Sequence, residues 1–179
     1  MSGKAPFDRS EVHAELDRVR EEFHRLVASA GPADLAGPTS GTRWTNEQLL
    51  FHMLFGYIIT RVLMPLVRTF GRLPRSAGRL FARILDAATT PFDAVNYLGP
   101  RLAVRVLRPS RQLALLDRFI ASLHRRLDRE TVADLALGMH FPVRWDPFFQ
   151  DRMTLADLYR YPALHFDFHR RQLTLTDDS

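Results

Sequence analysis

Apolar residues recur at steps of three and four along most of this chain, a spacing that places them on one face of an α-helix. Runs that alternate apolar and polar residues, as half-buried strands do, are not found, and no segment repeats at a fixed period. The helical pattern extends over four stretches: residues 7–30, a helix beginning at Trp44, residues 111–129 and residues 153–173. The sequence therefore predicts an all-α fold built as a four-helix bundle.

The segment between the second and third of these helices is less regular. Pro65 is expected to kink or end the second helix, and Gly71 and Pro74 interrupt the pattern that follows. We therefore expect a long, partly helical connection, with residues 71–110 as an irregular insertion of short helices and ordered loop. The length of 179 residues suits a single domain covering residues 1–179.

The absence of cysteine removes disulfides, thiolate metal sites and cysteine nucleophiles, and leaves histidine and carboxylates as the strong metal donors. A composition of 46% apolar and 25% charged residues is typical of a globular protein and excludes wholesale disorder. The first eight residues contain no apolar core of a secretion signal, so we expect a cytoplasmic location. The uncharged run at 48–60 is too short to cross a bilayer, and we expect no membrane span.

Positive charge is concentrated in the middle of the chain. The net charge is +5, and residues 61–111 contain ten arginines against two aspartates. Some of these arginines keep helical spacing, at positions 68, 72, 75, 79 and 83. They leave open a surface that attracts nucleic acid or anionic lipid, although Gly71, Pro74 and Gly78 count against one continuous helix there. Because Lys4 is the single lysine, the arginine content is typical of a GC-rich bacterial genome, and nucleic acid is disfavoured as a partner.

Two histidines, His165 and His169, are four residues apart in the last predicted helix, for which Thr154 is the expected N-cap. Their imidazoles lie on one face, but two imidazoles need a third donor to hold a divalent ion. His52 lies among apolar residues of the second helix and is expected to be buried, either as a hydrogen-bonded core residue or as a ligand. Three other histidines have charged neighbours and are expected at the surface: His13, His24 and His124.

The order of these residues along the chain resembles the DinB-like superfamily. The features in common are Trp44-Thr45 leading through Leu49-Leu50 to His52, then Thr154-Leu-Ala-Asp-Leu158, and then His165-x-x-x-His169. The resemblance implies a four-helix bundle in which His52, His165 and His169 bind one divalent metal ion, zinc or nickel. It does not account for the length of the arginine-rich connection.

The same resemblance implies an activity. Characterised members of the superfamily include S-transferases that use bacillithiol or mycothiol, and a mycothiol-dependent maleylpyruvate isomerase. We therefore expect a metal-dependent transferase or isomerase that uses a low-molecular-weight thiol on a small-molecule substrate, with mycothiol favoured because an arginine-rich, lysine-poor chain is typical of actinobacteria. A metal-dependent hydrolase, a non-catalytic binding or stress-response module with a structural or vestigial metal site, and a homodimer all stay open.

A loop rich in large apolar side chains, residues 139–150, precedes the last helix. We expect Trp145 to line a pocket above the open position of the metal or to cap the core, and the two roles can coexist. Arg144 is expected to join Trp145 in binding the thiol or the substrate, by holding a carboxylate. Asp146 and Asp151 are candidate bases near the mouth of the pocket. For Arg144 and both aspartates, a solvent-facing or loop-stabilising role is the alternative.

Overall fold

The computed structural model of the protein describes residues 7–175 and has eight helices and two short strands in that range. In chain order these are α1 (Arg9–Ser29), α2 (Pro32–Ala36), α3 (Asn46–Phe70), α4 (Arg75–Ala87), α5 (Thr89–Ala103), α6 (Pro109–Leu127), α7 (Val132–Ala136), β1 (Gly138–His140), β2 (Arg152–Thr154) and α8 (Leu155–Arg170). The predicted all-α class is confirmed, because the sheet amounts to three residue pairs.

Four long helices, α1, α3, α6 and α8, form the bundle. Helix α1 packs against α6 and α8, and α3 packs against the same two helices, so α1 and α3 lie diagonally across the core. The buried face of α1 shows how the sequence specifies this arrangement, since its members recur at steps of four and three: Val12, Leu16, Val19, Phe23 and Leu26. Burying such a stripe stabilises the fold by roughly 2 kcal/mol for each large apolar side chain that is removed from water.

Helix α3 is the central helix of the fold. By length and apolar composition alone it qualifies as a membrane span, but 61% of its most apolar window is buried inside the protein. Thr45 caps its N-terminus, accepting a hydrogen bond from the backbone of Gln48. Pro65 was expected to kink or end this helix, and it does not end it, because α3 continues through Pro65 to Phe70. Pro65 cannot donate to the carbonyl of Arg61, and both residues lie on the exposed side of α3, where solvent can satisfy that carbonyl.

The connection between α3 and α6 is more regular than the sequence suggested. Its two helices, α4 and α5, have 13 and 15 residues and are separated by Ala88 alone. Pro91 lies in the first turn of α5, where a proline removes no helical hydrogen bond, which is why it does not break the helix. Helix α5 packs along α3, and α4 packs against β1. The connection therefore lies against the bundle next to the central helix.

Two short strands occur that no alternating run in the sequence predicted. β1 and β2 pair antiparallel, with Met139 opposite Met153, and they close the loop that precedes α8. Residues 153 and 154, expected to open the last helix, belong to β2, and the helix ends at Arg170 rather than at residue 173. Thr154 is nevertheless the N-cap of α8, with Asp157 completing a capping box.

Candidate metal centre

Two neighbouring helices bring three histidines together. His52 lies two turns into α3, and His165 and His169 lie one turn apart on the face of α8 that packs against α3. The Nε2 atom of His52 is 3.2 Å from Nε2 of His169 and 3.2 Å from Nε2 of His165. One ligand atom from each histidine lies within 4.8 Å of the others. The three residues expected from the sequence therefore converge in the structure.

The spacing of these nitrogens fits a metal ion. Zinc binds imidazole nitrogen at about 2.0–2.1 Å in tetrahedral geometry, which separates two ligand nitrogens by about 3.3 Å. The separations from Nε2 of His52 to Nε2 of His169 and to Nε2 of His165, both 3.2 Å, match that value. Three neutral imidazoles fill three positions of such a site and leave the fourth open.

The ring nitrogens that face away from this point differ in their surroundings. Nδ1 of His169 lies 2.7 Å from Oε1 of Gln172, which can only accept, so Nδ1 carries the proton and Nε2 presents a lone pair to its neighbours. Nδ1 of His52 and Nδ1 of His165 are buried with no hydrogen-bond partner among residues 7–175. Each buried polar atom without a partner lowers the stability of the fold by about 1–3 kcal/mol. Two such atoms in one cluster of histidines indicate a functional site rather than a packed core.

Gly56, one turn after His52 on α3, provides the space for His165. A Cβ atom at position 56 would lie 2.7 Å from Nδ1 of His165, closer than non-bonded atoms approach, and in a tight contact of 3.2 Å with Cε1. The imidazole of His165 therefore packs directly on the backbone of α3. Any larger residue at position 56 would push α8 or the ring away from His52.

Burial keeps the three histidines neutral. It lowers the pKa of His52 to about 3, with His169 adding a smaller repulsion. Burial also lowers the pKa of His165 well below its ordinary value, and the pKa of His169 to a lesser degree, since the Gln172 hydrogen bond acts in the opposite direction. Neutral imidazole is the form that binds metal, so the site is poised for a cation over a wide pH range.

A cavity of about 160 Å³ adjoins the three histidines. Its wall is mainly aromatic, and consists in large part of Trp44, Phe55, Phe92, Trp145, Phe149, Tyr161 and Phe168. Trp145 lies in this wall, as expected, and its ring stacks on Phe92 of α5 with centroids 4.0 Å apart and an interplanar angle of 8°. The indole Nε1 of Trp145 is buried and has no partner in the described part of the chain. The fold therefore leaves this donor without an acceptor of its own.

Asp146 is the carboxylate of the cavity. One oxygen, Oδ2, accepts a hydrogen bond from the Tyr161 hydroxyl at 2.9 Å and lies 3.9 Å from Nε2 of His165. The other, Oδ1, accepts from the backbone N–H of Phe148 at 2.8 Å. Burial raises the pKa of Asp146, and the two hydrogen bonds partly offset that rise. Of the two candidate bases, Asp146 is thus the one placed beside the histidines.

The other candidates lie elsewhere. Asp151 is exposed and pairs with His140 at 3.1 Å, outside the cavity. Arg144 is exposed and does not line the cavity, and no lysine or arginine lines it within the described range. The remaining histidines are half-buried in pairs between helices rather than fully at the surface: His13 stacks on His124, and His24 contacts Asp117 at 2.9 Å.

Several residues of the site were missed from the sequence. Gln172 follows the last helix, Gly56 lies inside an apolar run, and Phe92 belongs to the irregular-looking connection. A histidine followed by an amide three residues later is a weak local signal that could have indicated Gln172. Gly56 contacts His165, 109 positions away, and Phe92 contacts Trp145, 53 positions away, and nothing local predicts those contacts.

A family model described as the DinB superfamily matches residues 15–173, a range that includes all three histidines and every helix from α2 to α8. No curated protein and no solved structure matches the chain.

Gly56→Ala is expected to displace His165 while leaving the bundle folded, because the new methyl group occupies the space of the imidazole. Long-range nitrogen–proton NMR of the imidazoles, or a crystal structure, reports the position of the ring. Gly99→Ala on α5 is the matched control: its Cβ meets nothing within 4 Å among the described residues, and it is expected to stabilise the helix by about 0.5–1 kcal/mol. His165 signals unchanged by Gly56→Ala would contradict the steric role of position 56.

The metal-free protein is expected to lose stability as the pH falls below about 6.5. The unfolded chain protonates its histidines near that pH, whereas burial holds the pKa of His52 at about 3 in the fold, so the unfolded state binds more protons between the two values. Each neutral histidine contributes a slope of about 1.4 kcal/mol per pH unit. Urea unfolding with chelator present measures the free energy of unfolding at each pH. Its slope against pH should be smaller in His52→Gln than in the wild type by about 1.4 kcal/mol per pH unit, the equivalent of one proton. An unchanged slope would count against a neutral, buried His52.

Proposed function

The chain belongs to the DinB superfamily, and we propose that it is a metal-dependent enzyme that uses a low-molecular-weight thiol to modify a small, uncharged molecule. The ligands in this proposal are His52, His165 and His169, and the ion is Zn²⁺ or Ni²⁺. The observation that carries the proposal is the convergence of three neutral imidazoles beside an aromatic cavity, with Nε2 of His52 3.2 Å from Nε2 of each of the other two.

The donor set defines the chemistry. A divalent ion held by three imidazoles supplies Lewis acidity, which lowers the pKa of a thiol or a water molecule at the open position. The aromatic wall excludes water, and that exclusion favours a thiol over hydrolysis and strengthens every charge interaction in the cavity. A thiol-dependent transferase therefore ranks above a hydrolase.

Two residues of the cavity act on the reactants in this proposal. Asp146 accepts the proton that the thiol loses, since its carboxylate lies 3.9 Å from His165 and burial raises its pKa toward that of a useful base. Tyr161 holds this carboxylate in place through its hydroxyl. Trp145 donates its unpaired indole N–H to the thiol or to the acceptor and presents its ring to the apolar part.

The charges around the cavity limit the substrate. A carboxylate-bearing substrate needs a cation, and the described lining contains Asp146 but no arginine or lysine. Arg144, expected to hold such a group, is exposed and outside the lining. An uncharged, apolar acceptor is therefore favoured over a dianion, and transfer of a thiol is favoured over isomerisation of a diacid. Mycothiol and bacillithiol are the thiols to test first.

A second candidate is a non-catalytic module whose metal site is structural. The size of the cavity favours it, because about 160 Å³ is below the usual range of roughly 300–1,000 Å³ for pockets that hold small molecules. This candidate predicts metal binding without any thiol-dependent turnover, and loss of stability on chelation.

Substitution of His52, His165 or His169 by alanine is expected to abolish stoichiometric metal binding, because two imidazoles do not hold a divalent ion in such a site. Elemental analysis of protein purified without a histidine tag measures the occupancy. His24→Ala is the matched control, since His24 is half-exposed on α1 and should leave the occupancy near one ion per chain. Full metal occupancy in the His52→Ala protein would show that the three histidines are not the metal site.

Trp145→Phe is expected to weaken thiol or acceptor binding by roughly three- to ten-fold while metal stays bound, because it removes one hydrogen-bond donor but keeps a ring against Phe92. Calorimetric titration of metal-loaded protein with mycothiol or bacillithiol measures this. Trp44→Phe is the control: the Trp44 N–H already donates to the carbonyl of Tyr97 at 3.1 Å, so its loss should lower stability rather than affinity. Equal affinities in the wild type and Trp145→Phe would leave Trp145 as packing alone.

A further inference from the structure

The outer faces of α4 and α5 expose large aliphatic side chains that the proposed function does not use. Between 47% and 69% of each of the following is exposed: Leu80 and Ile84 of α4, Val95, Leu98 and Leu102 of α5, and Val106 in the turn that follows α5. We call these six residues the aliphatic patch. Such side chains are normally scattered singly over a protein surface, and a concentration of six within 27 consecutive residues indicates contact with something apolar.

Helical spacing accounts for this exposure. Val95, Leu98 and Leu102 follow one another at steps of three and four and share one face of α5. The opposite face of α5 is occupied, since Phe92 stacks on Trp145 and Asn96 lines the cavity. Helix α4 has the same division, with Ala82 buried against the protein and Leu80 and Ile84 facing out. Both helices are therefore amphipathic, with an apolar stripe that faces solvent.

Exposed positive charge accompanies the aliphatic patch. Residues 75–108 contain six arginines and two aspartates, a net charge of +4, and all six arginines are exposed: Arg75, Arg79, Arg83, Arg101, Arg105 and Arg108. Arg101 bonds to the Tyr97 hydroxyl at 2.9 Å. Within residues 7–175 the side chains of the other five make no ion pair or hydrogen bond. Their charge is thus free to attract an anionic partner.

We propose that α4 and α5 dock the protein onto the surface of an anionic lipid bilayer. Helices that lie in a bilayer interface combine Leu, Ile and Val on one side with Arg or Lys alongside, as both helices do here. The aliphatic side chains enter the acyl boundary, and the arginines contact lipid phosphates. The bundle remains outside the bilayer, because α3 uses its apolar surface in the core.

The charges favour lipid over the other partners of such a surface. A second copy bound through a two-fold axis would place these arginines against their own counterparts, and only Asp86 and Asp93 could offset the repulsion. Nucleic acid would match the charge but would leave the aliphatic patch in water. An anionic bilayer satisfies the charge and the apolar surface together.

The location of α5 links this surface to the cavity. Phe92 and Asn96 line the cavity from the inner face of the helix whose outer face carries Val95 and Leu98. A bilayer that holds α5 therefore lies one helix diameter, about 10 Å, from the cavity wall. The docking proposal itself is independent of the metal and of any turnover.

Flotation of the full-length protein with vesicles tests the proposal. We expect binding to phosphatidylcholine vesicles that contain about one-third phosphatidylglycerol, little binding to pure phosphatidylcholine, and weaker binding as salt is raised. Arg79→Glu/Arg83→Glu should weaken the binding by about thirty-fold or more, since each arginine near an anionic surface contributes about one kcal/mol. Arg125→Glu/Arg129→Glu, with the same spacing and charge change at the end of α6, should retain far more of it.

A second pair of variants separates the apolar contribution from the charge. Leu98→Ser should weaken vesicle binding by about ten-fold, whereas Leu164→Ser on α8 should not, although the two leucines are 47% and 50% exposed. Both changes are at exposed positions, and circular dichroism checks that the variants fold.

Three results would overturn the proposal. The first is the absence of binding to anionic vesicles at low salt. The second is equal loss of binding in Leu98→Ser and Leu164→Ser, which would leave only unspecific charge attraction. The third is a dimer in sedimentation velocity that Leu98→Ser dissociates, since a second copy would then cover the aliphatic patch.

Discussion

The close contact between α3 and α8 at Gly56 is the constraint on which the rest of this structure depends. The contact brings the ring of His165 onto the backbone of α3 and so sets its distance to His52, one turn earlier on the same helix. Three imidazoles in a wall of apolar side chains would ordinarily be costly, because two of their nitrogens have no partner in the described range. The surrounding core, with Leu49, Met53 and Phe166 fully buried, is what holds them in that position.

The parts of the fold that follow from local physics were predictable from the sequence. The apolar stripe of α1, the capping residue Thr154 and the apolar surroundings of His52 all lie within a few residues of the features they determine. The regularity of α4 and α5 was not predictable in the same way. Their glycines and prolines suggested breaks, but Gly78 packs in the interior and Pro91 occupies a first turn, where neither interrupts the helix.

The residues of the candidate site also fall into those that the sequence predicted and those that only the structure showed. The sequence predicted His52, His165 and His169 as ligands, because their order and spacing along the chain resemble those of the DinB-like superfamily. The residues that surround them were visible only in three dimensions: Phe92 reaches Trp145 across fifty residues, and Asp146 was one of two equally plausible carboxylates until the structure placed Tyr161 beside it. Contacts between distant segments decide which polar groups face a cavity, and single-sequence patterns do not record them.

The stack of Phe92 on Trp145 shows that the histidines and part of the cavity wall come from different segments of the chain. Helices α3 and α8 supply the three histidines and part of the wall, whereas the connecting helix α5 and the loop before α8 add the stacked pair, Phe92 and Trp145. Substitutions in α5 and this loop can accumulate without disturbing the histidines, since no ligand residue lies in either segment. The same three histidines can therefore be combined with a different wall, and so with a different reactant, through substitutions confined to α5 and the loop before α8.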